Sequence, residues 1–350
     1  MTPVAAALVV AIAVQDPTPL RALPRDTSPK IGQLASGEWL EVREEKAGYL
    51  KVWDHRHERP GYVRGTQVRT YRLDETSAPA LAAVIAFLKD STGSEALGIG
   101  LVAAYLKAAP AQAIGPGVFD ALGTFAERLA RRASARRAPN DETLSAHLGV
   151  AAGYGVRFHN YEQADRARVC YEGEAFRRVL ALGGASPEQR IRAALALTLP
   201  ECVSPELGQT ELLALLQWQA DILARIDPHE GPAHLTSRLR LRRAATGSEL
   251  AFQYARRGDA KKAALASADA LRELALVEKL ELGDGDQSHY EETAVRVAAA
   301  RWPSEEAVVP AGKVALRVLP GSHPCESCLA LLPQGSEQQP KPLAERCTFS

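Results

Sequence analysis

Several things are scarce or missing in this 350-residue chain, and each absence narrows what it can be. There is no net charge: 42 basic residues stand against 42 acidic ones, so nothing favours a polyanion such as nucleic acid as partner. Lysine is scarce, with 10 against 32 arginines. In an Ala-rich chain this arginine bias reads as coding composition, so arginine clusters carry less functional weight. Apolar runs are short. The one near the start, Val4 to Val14, falls below the roughly 20 residues that a membrane-spanning helix needs. No other stretch is long and uncharged enough to span, which predicts a soluble protein. Gly-x-Ser-x-Gly, phosphate-loop, dinucleotide-loop and metalloprotease-helix motifs are all absent, so no catalytic constellation and no cofactor is predicted.

The run from Val4 to Val14 has the length of a signal-peptide h-region, and Ala11-Ile-Ala13 supplies a small-x-small cleavage pattern before Asp16-Pro-Thr-Pro19. A signal peptide is therefore expected over 1–15, and with it a periplasmic or secreted location. No Lys or Arg precedes the run, and no cysteine follows it, which excludes a lipid anchor on a cysteine there. Five cysteines suit an oxidising compartment. Cys170 and Cys202 form one group and Cys325, Cys328 and Cys347 another. The simplest pairing is one bridge within each, leaving one thiol over.

Residues 16–73 alternate in the manner of short strands. The segments are Leu20-Arg-Ala-Leu-Pro24, Lys30-Ile-Gly-Gln-Leu34, Gly37-Glu-Trp-Leu-Glu-Val-Arg43, Gly48-Tyr-Leu-Lys-Val-Trp53 and Gly61-Tyr-Val-Arg64. Apolar residues at every second position, broken by Gly and Pro, predict five strands of a small barrel. Their order and spacing resemble the bacterial SH3 family. That resemblance implies a binding module directed at peptides of proteins or of peptidoglycan. Tyr49 and Tyr62 stand where that family usually has Trp.

Strand parity turns Leu40, Val42, Leu50, Val52 and Val63 inward. It leaves Trp39, Tyr49, Trp53 and Tyr62 on the outside as candidate ligand-binding residues, since aromatics with a polar tip suit a peptide- or sugar-binding groove. The same face is equally suited to pack on the helices that follow.

From 74 to 302 the pattern is helical. Segments are expected at 79–90, 94–108, 117–137, 141–158, 160–182, 187–199, 205–226, 232–257, 259–281 and 285–301. They are punctuated by Pro and Gly, with Ser186-Pro187 and Ser204-Pro205 as capped helix starts. Short connections predict stacked antiparallel hairpins, a solenoid-like domain that offers a surface to a protein partner. Ala251-Phe-Gln-Tyr-Ala-Arg-Arg-Gly-Asp-Ala-Lys-Lys-Ala-Ala-Leu265 resembles the middle of a tetratricopeptide repeat, although no fixed 34-residue period runs through the region. Residues 303–350 turn β-like again at Lys313-Val-Ala-Leu-Arg-Val-Leu319 and Cys328-Leu-Ala-Leu-Leu332. They predict a disulfide-tied hairpin tail that stops where a third strand would begin, as in a truncated chain. The expected fold class is thus multidomain α+β.

Other patterns resolve to plain readings. His55 and His57 in Asp54-His-Arg-His-Glu-Arg-Pro60 fit a charged hairpin tip better than a zinc site, which wants four ligands. Cys325-Glu-Ser-Cys328 lacks the context of a redox helix or a zinc ribbon, and a structural disulfide to Cys347 is the better reading. Cys170, placed mid-helix, lacks the sheet of a Cys-His hydrolase and pairs more simply with Cys202. Asp284-Gly-Asp-Gln-Ser-His289 fails the EF-hand spacing and reads as a helix cap. Arg128, Arg131, Arg132, Arg136 and Arg137, and Arg238, Arg240, Arg242 and Arg243, are basic helix stretches that complement the dipole. The function expected is a non-enzymatic cell-envelope binding or scaffolding protein. The alternatives are a cell-wall hydrolase, or an accessory of one, whose catalytic part is missing, and a periplasmic inhibitor or immunity-type protein.

Overall fold

Alternation in the first 72 residues is expressed as an antiparallel sheet. In the computed structural model, which describes residues 8–135, 141–163 and 166–306, seven strands make it up. These are β1 (Val9–Ala13), β2 (Thr18–Arg21), β3 (Lys30–Leu34), β4 (Trp39–Lys46), β5 (Tyr49–Asp54), β6 (Arg59–Arg64) and β7 (Val68–Arg72), in the order β3-β2-β6-β5-β4-β1-β7. Parity holds as expected: Leu40, Leu50, Val52 and Val63 join Ala11, Ala13, Leu20, Leu34 and Val68 in one core, to which every strand contributes.

Two of the seven strands lie outside the five predicted. β7 closes one edge. The other, β1, comes from the run expected to be a signal peptide. Val9–Ala13 lies between β4 and β7, with Val10 opposite Glu41 and Tyr71, and Ile12 opposite Trp39 and Arg69. Ala11 and Ala13 point into the sheet's own core, while Val10 and Ile12 join the core of the helical region. A strand buried on both faces has no polar alternation, so its sequence reads like a leader. Cleavage after Ala13 would remove it.

Among the described residues ten helices follow: α1 (Ala78–Lys89), α2 (Glu95–Ala108), α3 (Pro116–Ala133), α4 (Glu142–Gly153), α5 (Glu174–Ala181), α6 (Pro187–Leu197), α7 (Gln209–Ala224), α8 (Ala233–Arg256), α9 (Ala260–Ala275) and α10 (Asp284–Glu306). None among the described residues is long and apolar enough to cross a membrane. Ser186 caps α6 in a reciprocal pair with Gln189, the hydroxyl accepting at 3.2 Å and the Gln189 carboxamide at 2.9 Å. The start expected at Ser204-Pro205 is instead a turn. The helix begins at Gln209, where Glu211 accepts the Gly208 N–H at 3.1 Å.

The helix expected at 160–182 is not one element. It is a hairpin of β8 (Phe158–Gln163) and β9 (Arg166–Tyr171), followed by the short α5. Phe158 and Tyr171 pack towards α3 while Tyr161 and Cys170 face the turn Pro200–Cys202, a period of two that the Arg- and Ala-rich composition masks. Cys170 therefore lies in a strand, and the bridge predicted to Cys202 is present, with Cα atoms 5.7 Å apart. Cys325, Cys328, Cys347 and the expected β tail beyond Glu306 lie outside the described residues, as do Arg136 and Arg137.

Most of the remaining arginines belong to the packing. Arg243 donates to the carbonyls of Leu223 and Ile226, at 2.8 and 2.5 Å, and pairs with Glu273 at 3.2 Å. Arg242 donates to Thr198 O, and its burial depresses its pKa to about 10. Arg132 pairs with buried Glu95, and Arg192 and Lys89 with buried Asp120. Each satisfies a carbonyl or carboxylate that would otherwise be orphaned.

At the turn before β4 the sheet and the helices are in close contact. Gly37, at φ 92°, lies in the turn before β4, and its carbonyl faces Gly100 of α2 so closely that a Cβ there would sit 2.2 Å from the oxygen. The hydroxyl of Tyr154, at the end of α4, donates to that same carbonyl at 2.8 Å.

Candidate functional site

The outer face of β4 carries Trp39 and Glu41 at alternate positions, and the helices cover only part of it. Trp39 is half-buried, its ring 6.1 Å from that of Tyr154 and tilted by 39°. Two cavities share Trp39, Tyr154, Gly153 and Lys107 in their walls, one of about 570 Å³ and one of about 550 Å³. Both fall in the size range of small-ligand sites. The second is apolar beyond the shared residues, walled by Ile99, Val102, Ala103, Leu106 and Leu122. The first is mixed: Leu8, Val10, Leu34, Leu40 and Val150 stand in its wall beside Glu38, Glu41, Asp54, His55 and Arg56.

Tyr154 is held from two sides: its ring lies against Trp39 and its hydroxyl is bonded to Gly37 O. Burial pushes its hydroxyl well above the ordinary tyrosine range, so at neutral pH it is a neutral donor. The polar side is organised by Asp54, which is 3% exposed. Its carboxylate accepts the backbone N–H groups of Arg56 and His57 at 3.1 and 3.2 Å, the His57 ring nitrogen at 2.8 Å and Arg59 Nε at 3.2 Å. Burial pushes its pKa up, but the bonds from His57 and Arg59 outweigh that and hold it below the usual carboxylate range. The β5–β6 turn is fixed in this way. It sets His55 against Glu41 at 2.7 Å and Arg56 against Glu38 at 3.2 Å, with the Arg56 guanidinium lying over Gly153 of α4. Glu41 also pairs with Arg43 at 2.8 Å.

Every acid in the cavity wall therefore has a cationic partner. One cation does not: Lys107, exposed in the last turn of α2, has no carboxylate within ion-pair distance among the described residues. His55 and His57 serve different acids. Among the described residues no group of three or more His, Cys, Asp or Glu side chains is placed to hold a metal ion.

The four aromatics expected on one binding face are distributed differently. Trp39 lines both cavities. Trp53, on the same outer face, is half-buried edge-on to His55 at 6.5 Å and lies outside the cavity walls. Tyr49 is only 6% exposed; its hydroxyl donates to Asp26 and the Arg64 guanidinium covers its ring at 5.8 Å. Tyr62 sits on β6 opposite Lys51, away from the groove. The sequence reading missed Tyr154, Lys107 and the wall of α2. They reach Trp39 only through tertiary packing, and Tyr154-Gly155 after an apolar helix was the sole local hint. The chain matches no protein-family model, no curated protein and no solved structure with which it was compared.

Proposed function

We propose that this is a non-enzymatic binding protein of the cell envelope whose N-terminal sheet is an SH3-like module. Its site is the groove between β4 and the helices, and its ligand is a peptide, free or as part of peptidoglycan. The observation that carries this reading is the groove itself: a Trp39–Tyr154 pair flanked by an apolar chamber on one side and a fixed polar rim on the other. Rigid aromatics beside preset polar groups bind peptides at low entropic cost. The Cys170–Cys202 bridge supports an oxidising compartment, periplasmic or secreted. The stacked hairpins of α6 to α10 would serve a protein partner. Because β1 is part of the module, the working protein retains Val9–Ala13, and mass spectrometry of the envelope-fraction N-terminus is expected to find it.

The test is retention of the full chain on purified peptidoglycan beside Ala103→Phe, which fills the apolar chamber from a half-buried position. Retention lost in a folded Ala103→Phe supports the groove. Equal retention by both puts the contact elsewhere and overturns it, and no retention by the wild type overturns the cell-wall assignment.

A further inference from the structure

We infer that the groove takes the carboxyl-terminal end of a peptide whose last side chain is apolar, with the terminal carboxylate on Lys107 and the last side chain in the chamber walled by α2. This rests on the groove being a peptide site and adds the direction and chemical end of the ligand.

The argument is one of charge and shape. Glu38, Glu41 and Asp54 are each matched by Arg56, by Arg43 and His55, and by His57 and Arg59. Within the cavity walls the unmatched charge is therefore a single positive one, at Lys107. It lies in the walls of both cavities, where the apolar chamber meets the polar groove. A ligand that fills the chamber thus carries its charged group beside Lys107, and that group is an anion. Lysine is a point charge with three donors and suits a single carboxylate without the planar fork of an arginine. The acids on the far side are already paired, which leaves a carboxylate only the Lys107 end of the groove to occupy. The side chain next to that carboxylate meets Val102, Leu106 and Leu122, so it is aliphatic or aromatic. An apolar body ending in a carboxylate is also the chemistry of a fatty acid. The first cavity sets Glu38, Glu41 and Arg56 beside apolar Leu8, Val10 and Val150; a peptide's amides and side chains can use both kinds of wall, an alkyl chain only the apolar one, and this favours the peptide.

Calorimetry with the full chain separates the outcomes. The probes are N-acetyl-Gly-Gly-Leu with a free carboxylate, the same peptide as its carboxamide, and decanoate, each titrated into wild type, Lys107→Gln and Ala103→Phe. Lys107 is exposed, so its substitution leaves the fold intact. The acid is expected to bind at least about tenfold more tightly than the amide, the scale of one charge-assisted hydrogen bond. Lys107→Gln should erase that preference, and added salt should reduce it. Equal binding of acid and amide, both lost in Ala103→Phe, overturns the role of Lys107 and leaves the groove reading standing. Binding of decanoate without the acid peptide overturns the peptide. Binding of none of the three probes overturns both the inference and the groove.

Discussion

Replacing Gly100 by alanine isolates the contact on which the groove depends. In an ordinary helix this change is favourable by about 1 kcal/mol, because alanine loses less backbone entropy. Here the new Cβ would fall 2.2 Å from the carbonyl oxygen of Gly37, and backbone cannot swing aside as a flexible side chain can. Overpacking of this kind costs about 1–3 kcal/mol. Moving Gly37 away also loosens the bond from Tyr154, worth about 1 kcal/mol. The propensity gain cancels part of this, leaving a net loss of about 1–3 kcal/mol. At roughly 2–4 °C per kcal/mol for a unit of this size, the melting temperature should fall by several degrees. Gly149→Ala is the matched control: it lies inside α4, and its added Cβ meets nothing nearer than the Arg56 guanidinium at 3.8 Å. It should be neutral or stabilising. Urea unfolding followed by circular dichroism measures both. A Gly100→Ala protein as stable as the wild type would refute the close docking of sheet and helix described above.

Other consequences follow from the same geometry. Arg243→Ala should lower stability by about 2–4 kcal/mol, since it strands two carbonyls at the end of α7 and leaves Glu273 with Arg240 alone, and Arg243→Lys should restore little of it in thermal melts. Reducing the Cys170–Cys202 bridge, which spans 32 residues, should cost about 3–4 kcal/mol by the loop-entropy relation, read as a shift in the urea midpoint with and without reductant. Asp54 has a folded pKa below its unfolded value, so its contribution is present above the unfolded value, about 4, and is lost as pH falls through the folded one. The stability advantage of wild type over Asp54→Asn should thus be level near neutrality and shrink below about pH 4; a gap unchanged in acid would refute it.

Much of this fold is legible in the sequence, for identifiable reasons. β2 to β6 alternate because one face is core and the other is not, and glycines and prolines mark their ends. The helices announce themselves through caps such as Ser186-Pro187. β1 is illegible because both its faces are buried, which erases the alternation and leaves only an apolar run. The β8–β9 hairpin is hidden by the helix-favouring Arg, Ala and Glu around it; Tyr161 and Cys170 are held by contacts to Glu201 and Cys202, which local propensity does not register. At the site, strand parity correctly turned Trp39 outward. Parity does not say what covers an outward residue, and so it does not reveal that Tyr49 is sealed by Asp26 and Arg64. Lys107 and Tyr154 stand at ordinary helix ends, and only folding brings them to Trp39.

The position of β1 also orders events during synthesis. It precedes all the other strands on the chain, yet its two neighbours are β4 and β7, and its outer face is covered by helices made later still. An apolar strand therefore waits, unpaired, until β4 has left the ribosome, and its second edge stays open until residue 72 follows. Contacts so distant in sequence form slowly, and a waiting strand is open to pairing with other chains. A binding partner for unfolded segments, acting in the interval between β1 and β7, would protect the step on which closure of the sheet depends.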